Sequence, residues 1–128
     1  MNSIDFISKT FKQLSKEELY QILQLRAEVF VVEQNCPYQD LDDLDFDSVH
    51  LCGYVHNELV AYSRMIKPGL KYPGTSIGRV ITKSIVRNSG AGKALMHKSI
   101  NECRKHWREE NTELLNEFDD IRSEIDAT

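Results

Sequence analysis

Cysteine is scarce in this 128-residue chain, and what there is does not pair: Cys36, Cys52 and Cys103 are odd in number and show no C-x-x-C spacing. That excludes a disulfide framework and argues against a thiolate metal site, so the three read as reduced packing residues and no metal is expected. No apolar run approaches the roughly 20 residues that span a bilayer. Met1-Asn2-Ser3-Ile4-Asp5 lacks the basic start and apolar stretch of a secretory signal, and the expectation is a cytoplasmic chain with no membrane partner. Familiar phosphate motifs are also missing. A P-loop requires G-x-x-x-x-G-K-[ST], and here Arg87 and Ala94 stand at two of its fixed positions. A dinucleotide fingerprint requires G-x-G-x-x-G, but Gly90-x-Gly92 is followed by Leu95 at the third place.

What is present suffices for one domain with a core, since 41% of the residues are hydrophobic and 28% charged. The net charge of −4 hides an uneven distribution. Residues 79–108 carry eight Lys/Arg against Glu102 alone, and residues 109–128 carry eight Asp/Glu against Arg122 alone. A basic segment of this kind suits a polyphosphate ligand, and no nucleic-acid partner is expected.

Gly78 to Ile100 organises the chain. Arg79–Ser84 is β-branched and alternating, as a half-buried strand is. Ala94, Leu95, Met96 and Ile100 recur at helical spacing. Between them, Arg87-Asn88-Ser89-Gly90-Ala91-Gly92-Lys93 delivers a glycine-containing loop onto a helix start. The unpaired N–H groups of such a first turn attract an anion. The plainer alternative is a polar turn before a core-packing helix.

Further elements follow in chain order. Ile4–Leu14 reads as a first strand, and Ser15-Lys16-Glu17-Glu18 as a capping box opening a helix that runs to about Val32. Arg26 stands within that helix's apolar face. Asp40–Asp47 holds five aspartates in eight residues; it begins like an EF-hand loop but has Ser48 and Tyr54 where Gly and Glu belong. It reads either as a solvated loop or as a negative wall that attracts a cationic amine. Ser48–His56 and Leu59–Ile66 form a hairpin through Asn57-Glu58, and Thr75–Ser84 is a fourth strand.

Several separated motifs agree on one family. Arg26, Val29-Phe30-Val31-Val32-Glu33-Gln34, Cys36-Pro37-Tyr38, Asp40-x-Asp42-x-x-Asp45, His50, Gly78-Arg79-Val80 and Arg87-x-x-Gly90-x-Gly92-x-x-Leu95 together resemble the ElaA-type branch of the GNAT N-acetyltransferases. The resemblance covers roughly residues 5–107. It implies an α+β fold, an antiparallel sheet of about four strands with flanking helices, and acetyl-CoA as co-substrate lying against the fourth strand. It also implies direct transfer of an acetyl group to a small-molecule or peptide amine. The backbone at Val80, Ile81 and Thr82 would pair with the pantetheine arm, and Arg87, Asn88, Ser89, Gly90, Ala91, Gly92 and Lys93 would hold the pyrophosphate. The amide of Thr82 is the candidate oxyanion donor, and Glu33 or His50 the candidate base.

Residues 108–128 depart from that pattern. The family would continue with a fifth strand, a helix that supplies a tyrosine acid, and further strands. Here Leu114, Phe118, Ile121 and Ile125 recur at helical spacing on an acidic background. The expectation is therefore a GNAT-like unit over residues 1–107 with an incomplete C-terminal half, followed by an acidic amphipathic helical tail over 108–128. The tail's apolar stripe and the uncovered fourth strand predict a homodimer. A second functional expectation stands beside catalysis: a non-catalytic acyl-CoA-binding or oligomerising module.

Overall fold

The structure, a computed structural model, describes residues 3–107. Four strands form one antiparallel sheet in chain order: β1 (Asp5–Thr10), β2 (Ser48–Val55), β3 (Glu58–Ile66) and β4 (Ser76–Thr82). Helix α1 (Lys16–Arg26) covers one face of it and α2 (Ala91–Trp107) the other. The α+β arrangement expected from the sequence is the one observed. The tail expected over 108–128, and with it the stripe behind the homodimer, lies outside the described residues.

Ser15 caps α1 as its motif predicts. Its hydroxyl accepts from Glu18 N–H at 3.1 Å, and the Glu18 carboxylate accepts from Ser15 N–H at 2.8 Å. Two donors at the helix start thus gain partners. Ile22, Leu25 and Val29 bury against Cys52, Leu59, Tyr62 and Ile81. On the opposite face Leu95 and Cys103 pack with Val49, Leu51, Ala61 and Met65. The alternation of β2 decides this division, because odd residues face α2 and even ones face α1. Ser63 and Ser99 hydrogen-bond across that second interface at 2.7 Å, tying β3 to α2 in a buried position. His56 and Asn57, at φ 49° and 65°, make the two-residue turn between β2 and β3. Both central residues of such a turn take the left-handed region.

Four boundaries differ from expectation. The hairpin turn falls one residue early, at His56–Asn57 and not Asn57-Glu58, so β2 ends at Val55 and β3 begins at Glu58. β1 ends at Thr10, where Phe11–Gln13 form a 3₁₀ turn. β4 is shorter at each end than Thr75–Ser84. The first helix stops being α-helical at Arg26 and continues as a π-helix over Ala27–Glu33. Gln34 N–H donates to Val29 O at 3.2 Å and Cys36 N–H to Val31 O at 3.1 Å, both spanning five residues. Widened turns of this type are rare and recur at functional sites. Here the segment carries Glu33 toward the end of β4.

Candidate functional site

β4 is the sheet's edge among the described residues, and it is irregular. Its pairing with β3 runs Tyr62↔Ile81 and then Arg64↔Gly78, so Arg79 and Val80 together face the single residue Ser63. This is a β-bulge, and Arg79 sits in it at φ 50°. A non-glycine residue in that region is uncommon and needs support from outside its own backbone.

Beyond the bulge, Lys83 N–H donates to Val60 O at 2.7 Å. The alternation of an antiparallel ladder then turns the N–H and C=O of Thr82 away from β3. The outward carbonyl accepts from Arg87 Nε at 2.9 Å. Arg87 also binds Glu33, with Nη1 to Oε1 at 2.7 Å and Nη2 to Oε2 at 3.3 Å. The pair joins the end of the π-helix to the start of the loop that follows β4.

That loop turns sharply at two left-handed residues, Asn88 (φ 65°) and Gly90 (φ 86°). Gly90 O accepts from Ala94 N–H at 3.0 Å, which makes Gly90 the N-cap of α2. A glycine cap has no side-chain oxygen to offer the first amides, and nothing lies within 4 Å of where a Cβ would stand. The Ser89 hydroxyl is turned toward Val86 O instead. Ala91 is buried with Val60 and Val86, fixing the helix start against the sheet. Lys93 is exposed on the first turn. Open amides, a positive helix end and an uncluttered approach make this loop suited to a phosphate group.

The aspartate-rich segment is not the exposed wall considered above. Asp45 accepts from Arg26 Nη1 at 2.7 Å and from Arg64 Nη1 at 3.0 Å. Asp42 takes Arg64 in a two-pronged pair at 2.8 Å on each prong. Asp40 bridges Arg26 Nε and Arg79 Nε, both at 2.8 Å. Arg26 and Arg64 are 0% and 1% exposed, so desolvation would be prohibitive without these partners. The Arg64 hydrogen bonds, above all, hold the Asp42 carboxyl well below its ordinary range. For Asp45, burial pushes the carboxyl up, but Arg26 and Arg64 outweigh it and the net shift is downward. Three of the five aspartates are therefore internal counterions. That charge is spent within the fold and cannot serve as a free lure for an amine.

His50 is also corrected by its surroundings. It is fully buried, with Nδ1 at 2.6 Å from the Tyr62 hydroxyl and Nε2 at 2.9 Å from Asp45 O. Asp45 O only accepts, so Nε2 carries the proton and Tyr62 O–H donates to Nδ1. Burial lowers its pKa and keeps the ring neutral. With both nitrogens engaged inside the core, it offers no face to a substrate. Glu33 is exposed and lies beside the loop through Arg87. Of the positions expected to meet a cofactor, Val80, Ile81 and Thr82 lie on β4 and Arg87–Lys93 form the adjoining turn and helix start, so they gather along one edge of the fold. Ile81 points its side chain into the core and, by the same alternation, its N–H and C=O toward Tyr62 of β3, so, against expectation, it presents no backbone group at the outer edge.

The sequence matches the acetyltransferase (GNAT) family over residues 16–120. Protein ElaA of Escherichia coli (strain K12) is 47% identical over 97 residues, covering 74% of this chain and 63% of that protein. A UPF0039 protein of Synechocystis is 43% identical over 104 residues, covering 77% of this chain and 68% of that protein. The crystal structure of Escherichia coli ElaA superposes with a TM-score of 0.77 at 43% identity, over 81% of this chain and 72% of that one. An acyl-CoA N-acyltransferase from Pseudomonas aeruginosa superposes with a TM-score of 0.78 at 41% identity, over 82% and 73%. The chain thus spans 63% of the length of the Escherichia coli relative. From the matched motifs, the sheet and this similarity, the chain belongs to the GNAT acetyltransferase family, in its ElaA-type branch.

Proposed function

We propose that the chain binds acetyl-CoA along the edge of β4 and transfers its acetyl group to a primary amine of a small molecule or peptide. The observation that carries this reading is the turn from β4 into α2, where Gly90 caps the helix without a side chain and leaves its first amides open. The residues present fit the co-substrate: the amides of Gly90–Lys93 receive the pyrophosphate, and the outward groups of Val80 and Thr82 pair with the pantetheine arm. Acetyl-CoA, when bound, supplies the activated thioester. The Thr82 N–H faces the same edge and is placed to donate to an oxyanion. Glu33 is the available carboxylate for taking the amine's proton, directly or through a water.

A second reading, an acyl-CoA-binding module without catalysis, is favoured by one observation. Glu33 is held by Arg87 and His50 by Tyr62 and Asp45, so neither proposed base is unengaged. Calorimetry with CoA, followed by thiol release from acetyl-CoA across a panel of primary amines, tests both. Micromolar binding with amine-dependent release supports the transferase; binding without release supports the module. No binding at all removes both.

A further inference from the structure

We propose that Asp40 is a positioning residue: it holds Arg79 in the left-handed conformation that the β4 bulge requires, and so sets the backbone face that meets the acyl-CoA. This rests on the acyl-CoA reading above. Asp40 grips Arg79 twice, with Oδ1 accepting from Nε at 2.8 Å and its own carbonyl accepting from Nη2 at 2.9 Å. It grips Arg26 in the same way, through Oδ2 from Nε at 2.8 Å and the carbonyl from Nη2 at 3.2 Å. Arg26 is fully buried and is fixed in turn by Asp45. The edge strand is therefore anchored to the end of α1 through one carboxylate. Tyr38 closes the outer side, its hydroxyl 3.3 Å from Asp40 Oδ1 and its ring 6.0 Å from the Arg79 guanidinium.

The backbone gives the clamp its purpose. Arg79 at φ 50° is disfavoured for any residue with a Cβ, whereas glycine takes it freely. Without a hold on its side chain, residue 79 would relax toward an extended conformation. The bulge would close, Val80 would move into register with β3, and the amides beyond it would change direction. Asp40 is not itself at the free edge, so it acts through Arg79 and need not touch the ligand.

The test separates backbone from side chain. Arg79→Ala and Arg79→Gly both remove the cation, and in both Asp40 keeps Arg26 and Asp42 keeps Arg64, so no carboxylate is orphaned. Only glycine accepts the left-handed conformation without help. In the full chain, CoA affinity by calorimetry should fall about tenfold in Arg79→Ala and recover in Arg79→Gly. Asp40→Asn should weaken CoA binding in the wild-type background and have no effect in the Arg79→Gly background. The Ile81 and Ser63 amide resonances should move in Arg79→Ala and Asp40→Asn and stay in place in Arg79→Gly. Equal CoA affinities for the alanine and glycine variants would overturn the proposal. So would an Asp40→Asn variant that melts earlier yet binds CoA unchanged, since that is a structural role alone. A wild-type chain that binds no CoA removes the acyl-CoA reading. In that case unmoved Ile81 and Ser63 amides in Arg79→Ala would also remove the bulge clamp.

Discussion

Glu33 Oε1 lies 2.7 Å from Arg87 Nη1, so the carboxylate that ends the π-helix and the cation that opens the glycine loop neutralise each other. Arg87 meanwhile donates Nε to Thr82 O at 2.9 Å. One side chain thus ties the helix, the edge strand and the loop together. Under the proposed acyl-CoA reading, a pyrophosphate arriving at the loop would compete with Glu33 for the same guanidinium.

Glu33→Gln separates the two roles this geometry allows. The pair is exposed, and such pairs hold weakly, so freeing Arg87 should tighten CoA binding by roughly two- to fivefold at low salt. The gain should fade as ionic strength rises. If Glu33 also takes the amine's proton, amine-dependent thiol release should drop in the same variant. Calorimetry and the release assay read the two effects independently. Unchanged affinity at low salt would mean that Glu33 does not compete for the loop.

Gly92 is the second residue of α2, where a carboxylate favours the helix but opposes a bound anion. Gly92→Asp should leave the chain folded and at least as stable, since glycine is a poor helix former. CoA affinity should fall by about a hundredfold or more, as like charges in one site cost several kcal/mol. Thermal melting and calorimetry on the same sample check both halves. Retained affinity would move the pyrophosphate away from these amides.

Much of this was legible locally. The Ser15–Glu18 box and the strand-to-helix passage through Gly90 each depend on residues within a few positions of one another, and windows of that size reveal them. The hairpin was legible too, but its turn falls at His56–Asn57, one residue before the Asn57-Glu58 expected. The ion network is different. Asp40 meets Arg79 across 39 positions and Asp45 meets Arg64 across 19, so five aspartates in eight residues looked like surplus charge. Arg26 on an apolar helix face was the one local sign that buried carboxylates would be needed. The π-helix and the β4 bulge were invisible for a related reason. Each is a register change imposed by tertiary contacts, with no composition of its own.

Acid should destabilise the fold in two stages. Burial depresses the His50 pKa below its ordinary 6.5, so below that pH the unfolded chain binds a proton that the folded chain refuses, and stability declines. Asp42 and Asp45 are depressed below 3.8. Their contribution is fully present above that value and is lost as pH falls through it toward the folded pKa values. Urea unfolding at closely spaced pH values between 3 and 8 should therefore show one shallow decline beginning near 6.5 and a second beginning near 3.8. A flat profile down to pH 4 would mean that His50 is protonated as readily in the fold as outside it.

Asp45 and Asp43 give the sharpest contrast within the acidic segment. Asp45 Oδ1 serves two guanidiniums that are 0% and 1% exposed. Replacing it with Asn keeps the shape but removes the charge between two buried cations, leaving Asp40 and Asp42 to balance them from one side each. The expected loss is about 3 kcal/mol, at the lower end for a broken buried pair because those partners remain. Asp43 is exposed and already left-handed at φ 66°, a conformation that Asn tolerates well, so Asp43→Asn should change stability by no more than about 0.5 kcal/mol. Urea unfolding of the two variants beside wild type reads the difference directly. Equal small losses would show the network to be dispensable to the fold, and would return the segment to a solvated loop of surface charge.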